Sequence, residues 1–320
     1  MDLHLLIDNL TNPALLFFIL GIVAVYLKSD LEIPANSSKF ISLYLLFSIG
    51  FKGGQELSHE VFDSEIVWSM VFGVAIAFII PIYTFFILKN RFSVYDAGAI
   101  AAAYGSVSAV TFVTAVSYLE AQQLTLHGHM VAIMALMESP AIIAGLVLIS
   151  IFNKEKSTKI KKSTAIHHSL TNGSVLLILG CLVIGFMANA KQAEGIKPFT
   201  DDIFKGFLAI FLLDMGIVSG RKLNDLVNKG WFPFVFAILI PLFNGCLVAY
   251  LSGFVTDDIA NRFIFAVLGA SASYIAVPAA MKITVPKANP GLFLPMALAV
   301  TFPINITIGM PMYFYVVQQF

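Results

Sequence analysis

Two short stretches of this chain set hydroxyl groups inside apolar sequence. "AAYGSVSAV", Ala102 to Val110, carries Ser106 and Ser108, and "LGASASYIAV", Leu268 to Val277, carries Ser271 and Ser273. Both cluster Gly, Ala and Ser, and neither holds a charge. Gly105, Ser106 and Ser108, with Ala270, Ser271, Ser273 and Pro278, are residues that permit a helix to break. Irregular backbone survives at membrane depth only where it is buried in protein or lines a cavity. Two half-helices meeting there would aim free N–H groups and the positive ends of their dipoles at one point. An anion would bind at such a point without a buried cation, which suits a chain with no Lys or Arg in the middle of any apolar run. The competing explanation is that small residues let helices pack closely.

A second set of residues offers oxygens to a cation. Glu138, in "ALMESPAII", lies inside an apolar run beside Pro140. Acids in lipid are expensive and read as functional, here as a cation ligand or a proton carrier. Thr301 and Asn305 flank Pro303 and supply neutral oxygens of the kind sodium accepts. Asp214, in "FLLDMGIV", is a further intramembrane acid for which functional and packing roles balance, whereas Asp96 reads as an N-terminal helix charge. His127 and His129, in "LHGHM", have a spacing that a metal could use but lack a third ligand nearby in sequence, so no metal site is expected there. Cys181 and Cys246 fall in apolar runs as buried thiols. No Ser/His or paired-aspartate arrangement sits at a plausible spacing, which disfavours an intramembrane enzyme.

These residues need long helices to hold them. The chain of 320 residues is 58% hydrophobic and 12% charged, with mean hydropathy +0.88. That leaves too little polar surface for a water-soluble globule. Apolar runs of the length that spans a bilayer predict an all-α polytopic membrane protein with spans near 12–28, 39–55, 64–88, 94–118, 128–152, 170–190, 203–219, 232–254, 263–283 and 291–317. Counting Lys and Arg on alternate loops gives 14 on one side and 5 on the other. The positive-inside rule then puts both termini outside the cytoplasm, in a plasma (inner) membrane. The start "MDLHLLIDNL" reads as part of the protein rather than as a cleavable signal.

A basic run, "NKEKSTKIKKS", divides the spans five and five, and an odd number per half inverts one half relative to the other. The expected organisation is a first five-helix repeat over 1–152, a cytoplasmic basic linker over 153–169 and a second, inverted repeat over 170–320. Three matches carry the repeat. Gly50, Gly54 and Leu57 share the spacing of Gly216, Gly220 and Leu223; Gly128 precedes Pro140 as Gly291 precedes Pro303; Ser106-x-Ser108 pairs with Ser271-x-Ser273.

The sequence resembles the sodium-dependent bicarbonate transporters of the cyanobacterial SbtA type along nearly its whole length. The resemblance is carried by "DAGAIAAAYGSVSA", by "MESPAII" and above all by "GASASYIAVPAAMKITVPKANPG", with its Pro286-x-Ala288-Asn289-Pro290 element. It implies a 5+5 repeat with broken fourth and ninth helices, a mobile core domain working against a gate domain, a homotrimer and a PII-like cytoplasmic regulator. By position, Gly105, Ser106, Ser108, Ser271 and Ser273 become substrate contacts. The family's serine cluster ends in an aspartate where this chain has Tyr274, so the expected sodium site comprises Glu138, Thr301 and Asn305 with Tyr274 beside them. The reading is a secondary transporter importing a small anion, bicarbonate first, with sodium as co-transported ion and the lipid bilayer as its surroundings. Its alternative is a proton-coupled carrier of a small organic acid, with Glu138 taking the proton.

Overall fold

Apolar runs become helices here, and several of the helices begin at a side chain that caps them. The computed structural model describes residues 13–153, 173–227 and 230–320. It is 83% helical, with no strands among the described residues. All of the expected linker beyond Asn153 lies outside the described residues. Helix α1 spans Pro13–Tyr26, α2 Ala35–His59, α3 Ser64–Leu88, α4 Val94–Gly105, α5 Ala109–Ala121, α6 Gly128–Phe152 and α7 Gly173–Met187. They are followed by α8 Ala190–Lys197, a π-helical stretch Pro198–Asp202, α9 Phe204–Val227, α10 Trp231–Ser252, α11 Ile259–Ala270 and α12 Ala276–Thr284. The last helix, α13, runs Pro290–Gln319. Around Pro303, which has no N–H to give, it widens to π geometry over Met296–Thr301 and Asn305–Gly309. Side-chain oxygens of Asp63, Ser93 and Asp258 accept the N–H groups of Ile66, Asp96 and Asn261 and so open α3, α4 and α11.

The expected spans 64–88 and 128–152 coincide with α3 and α6. Spans 94–118 and 263–283 are each two helices separated by a short extended segment. By length and apolarity six segments among the described residues suffice to cross a membrane, where ten were expected. The difference lies in α1 and α7, whose described parts are apolar and begin directly after residues outside the described range, in α11, which is apolar but shorter, and in α2, which has the length but carries Lys39, Lys52 and Glu56. Helix α8 was not foreseen; it lies at the surface with no buried residue.

Glycines decide which helices touch. A Cβ on Gly54 would sit 2.1 Å from the Leu182 carbonyl oxygen, and one on Gly216 would sit 2.0 Å from that of Phe18. The first contact seats α2 on α7, and the second seats α9 on α1. These four helices form one group, with α2 also against α9. A second group is built from α3, α4 and α6 together with α10, α11 and α13. The groups meet where α2 packs on α6 and α9 on α13. Helices α4 and α11 sit deep, with every residue from Ala97 to Gly105 and from Ala260 to Ala270 buried.

Candidate functional site

Both serine segments are breaks, and the breaks cross. Helix α4 ends at Gly105, where a Cβ would meet the Pro81 ring of α3 at 2.2 Å, so only glycine allows this approach. Ser106 is then extended, and α5 restarts at Ala109 with Ser108 as its cap, the Ser108 hydroxyl accepting the Thr111 N–H at 3.2 Å. In the partner break α11 ends at Ala270, Ser271 is extended, and α12 starts at Ala276. Pro278 stands in the first turn of α12, where a missing N–H costs nothing. The segments are tied backbone to backbone and backbone to hydroxyl. The Ser273 N–H donates to the Ala103 carbonyl at 2.8 Å, and the Ser108 N–H donates to Ser271 Oγ at 3.1 Å. Ser271 Oγ in turn donates to the Leu268 carbonyl at 2.9 Å, and Ser273 Oγ accepts the Val277 N–H at 3.3 Å.

Three of the four serine hydroxyls therefore hold the breaks in shape. The fourth, Ser106 Oγ, is buried without a partner among the described residues. Ser108, Ala109, Ser273 and Ala276 line a small cavity, so the first residues of both restarted helices, α5 and α12, face one space. Helix starts leave N–H groups unpaired within the helix and carry positive partial charge. Glu138 of α6 and Tyr274 line the same cavity. Glu138 is 9% exposed, and its Oε1 has no partner among the described residues. At about 20 Å³ the cavity has room for about one water.

Tyr274 and Ile275 also line a second cavity of about 520 Å³, together with Ser38, Lys39, Asp214, Arg221 and Leu298. They stand between the two spaces. Ser38 of α2 donates its hydroxyl to the Asp214 carboxylate of α9 on the wall of the larger one. This larger cavity lies near the ends of α2 and α9 that carry Lys39 and Arg221, on the face with the basic loops.

Thr301 and Asn305 occupy a different side of the crossing. Thr301 Oγ1 is 2.8 Å from the Tyr104 hydroxyl and donates to the Ala237 carbonyl at 2.8 Å. Asn305 Nδ2 donates to the Ala270 carbonyl, the end of α11, at 2.8 Å, and Asn305 Oδ1 accepts from the Tyr313 hydroxyl at 2.7 Å. Neither lines the cavity with Glu138. Among the expected residues, the structure thus groups Ser108, Ser273, Glu138 and Tyr274, joins Ser271 to them by a hydrogen bond, and sets Thr301 and Asn305 behind the helix ends.

The arrangement offers positive helix starts and one buried carboxylate beside a larger cavity open to one face, which suits binding and passage of a small ion pair. Compared with known protein families, residues 13–318 match the model described as Na+-dependent bicarbonate transporter superfamily. The chain belongs to that superfamily. It is a multi-pass membrane transporter, not an enzyme. No match was found among curated proteins.

Sequence reasoning missed two charged groups of this transporter. Because α2 continues to His59, Lys52 lies two turns inside it and bridges Glu120 of α5 at 3.1 Å and Asp201 at 2.8 Å. Lys205 adds a contact to Glu120 at 3.5 Å. The second is Glu60, just past the end of α2, which meets both histidines of "LHGHM". Partners so distant in sequence leave no local signal.

Proposed function

We propose that the transporter imports bicarbonate with sodium by alternating access, through the cavity where α5 and α12 begin. The observation that carries this reading is that two helix starts and Glu138 line one space. The N–H groups of the helix starts suit an oxyanion, and the carboxylate suits the cation that travels with it. Tyr274 and Ile275 separate the site from the larger cavity and act as the barrier on that side. The basic face is the cytoplasmic one by the positive-inside rule, which makes the present form inward-facing. The glycine contacts support an inverted repeat: the second helix of each half, α2 or α9, seats on the first helix of the other. In this reading the α1, α2, α7, α9 group is the gate and the remaining group the core that moves against it. The homotrimer and the PII-like regulator follow from the family resemblance, and mass photometry in detergent tests the first.

Labelled bicarbonate uptake into proteoliposomes is the deciding experiment. Uptake should saturate and accelerate with an inward sodium gradient. Uptake equal to empty vesicles under every gradient overturns the substrate. A second reading, proton-coupled transport of a small organic acid, draws on the absence of Lys and Arg from the cavity lining and on the unpartnered Glu138 oxygen. It predicts stimulation by a proton gradient with sodium absent.

A further inference from the structure

His127 and His129 flank Gly128, the first residue of α6. A Cβ on Gly128 would meet the Gly53 carbonyl oxygen at 2.1 Å and the Leu57 nitrogen at 2.4 Å. Glycine therefore lets the start of α6 press onto the last turns of α2, and this delivers Glu60 to the two imidazoles. His129 Nδ1 is 2.7 Å from Glu60 Oε2, and His127 Nδ1 is 3.7 Å from Glu60 Oε1. One ligand atom from each of the three residues lies within 4.8 Å of the others. Tetrahedral ligands at about 2.0–2.1 Å from zinc stand roughly 3.3 Å apart, so closing around an ion changes these separations by at most about 1.5 Å.

The surrounding groups match those that hold metal ligands. A ligating imidazole usually gives its other ring nitrogen to a carboxylate, and a ligating carboxylate is itself hydrogen-bonded. His127 Nε2 lies 3.4 Å from Asp258 Oδ2, and the Gly128 N–H donates to Glu60 Oε1 at 2.6 Å. His129 is 5% exposed at its side chain and His127 40%, which leaves an open side for a fourth ligand such as water. We propose that Glu60, His127 and His129 form a site for a divalent transition-metal ion of the zinc class, and that the bound ion clamps α2 to α6. Imidazole selects zinc, copper or nickel over sodium, calcium or magnesium, which prefer oxygen. The clamp has a consequence because α2 and α6 belong to the two helix groups that meet here. That consequence rests on the alternating-access reading; the binding does not.

Glu60 supplies the negative charge of the ligand set. Burial pushes the Glu60 carboxyl up, but hydrogen bonds from His127, His129 and the Gly128 N–H outweigh it and hold it below the usual carboxylate range. A ligating imidazole must be neutral, so metal affinity must fall as pH falls.

The test uses the purified full chain in detergent, with ZnCl2 as probe and MgCl2 and excess chelator as controls. Thermal melting should rise with Zn2+ and not with Mg2+. Glu60→Gln and His129→Gln should each weaken the response at least tenfold, and Asp258→Asn about 10- to 100-fold. His59→Gln, next to the site but outside it, should leave it unchanged. If a variant melts too early to read, Co2+ replaces Zn2+, and the visible absorption of cobalt bound to nitrogen ligands reports the site in the native chain. No Zn2+ response, or the same response in His129→Gln as in the native chain, overturns the site. In vesicles, Zn2+ should slow uptake by the native chain and not by His129→Gln. Binding without inhibition would overturn the clamp and leave the site standing.

Discussion

At the scale of single residues, Glu138 is a side chain whose chemistry its surroundings leave unsatisfied. It is buried, and among the described residues one oxygen has no partner and no Lys or Arg lines its cavity. An ion that travels with the substrate supplies the missing partner in the proposed mechanism. Glu138→Gln keeps the size and one oxygen while removing the charge, so sodium should lose at least tenfold in apparent affinity, about 1.4 kcal/mol. The fold should hold, because a neutral amide is cheaper to bury than a carboxylate. A sodium titration of thermal stability reads both, since a ion that binds only the folded state raises stability with concentration. Unchanged sodium affinity would make Glu138 structural, and loss of pH dependence in uptake would favour the proton-coupled reading. The serines carry a different lesson, because most of their hydroxyls are occupied in building the breaks and the backbone N–H groups are what they leave available.

At the scale of elements, the two broken segments are held by side chains from a third. Asn305 of α13 donates to the Ala270 carbonyl, one of those a helix end leaves without an intrahelical partner. The same side chain accepts from Tyr313, whose hydroxyl also lies 3.2 Å from the Pro241 carbonyl. Asn305→Ala should therefore destabilise the protein by about 1–3 kcal/mol, the cost of stranding a buried carbonyl. Thermal melting in detergent measures it, and an unchanged midpoint would show that the end of α11 is satisfied otherwise. Broken helices are marginal on their own, since each half is 9 to 13 residues long and isolated helices of that length are unstable in water. Their order comes from burial and from these cross-links.

For the whole molecule, charges on the face opposite the basic loops join the first helix group to α5, which packs on α11 and α13 of the second, and in the proposed mechanism they close that face. Glu120 of α5 is held by Lys52 of α2 and by Lys205 of α9. All three are partly exposed, so each contact contributes at most about 1 kcal/mol. Conformational equilibria of transporters are balanced within a few kcal/mol, and a loss of that size is enough to move the population. Glu120→Gln should shift the protein toward the form open on this face. A cysteine introduced by Leu124→Cys, which lines the cavity beside Lys52 and Glu120, should then react faster with a water-soluble maleimide. The background would have Cys181 and Cys246 replaced by Ser. Equal labelling rates with and without Glu120→Gln would remove these charges from the closing of this face.

Composition alone was enough to determine an all-helical membrane protein, because a bilayer admits few other solutions for 320 residues this apolar. Local sequence also located both breaks and placed α3 and α6 to the residue, since Gly, Ser, Asp and Pro act on the backbone within a turn or two of themselves. Only the tertiary structure decided what meets across the breaks. It set Glu138 beside Ser108 and Ser273, turned Thr301 and Asn305 to the backbone behind, and brought Glu60 to His127 and His129. Those contacts depend on close approaches at Gly54, Gly105, Gly128 and Gly216, where one added carbon would collide with a partner remote in sequence. A glycine in the sequence records that a neighbour is near, but which neighbour it is depends on how all the helices pack together.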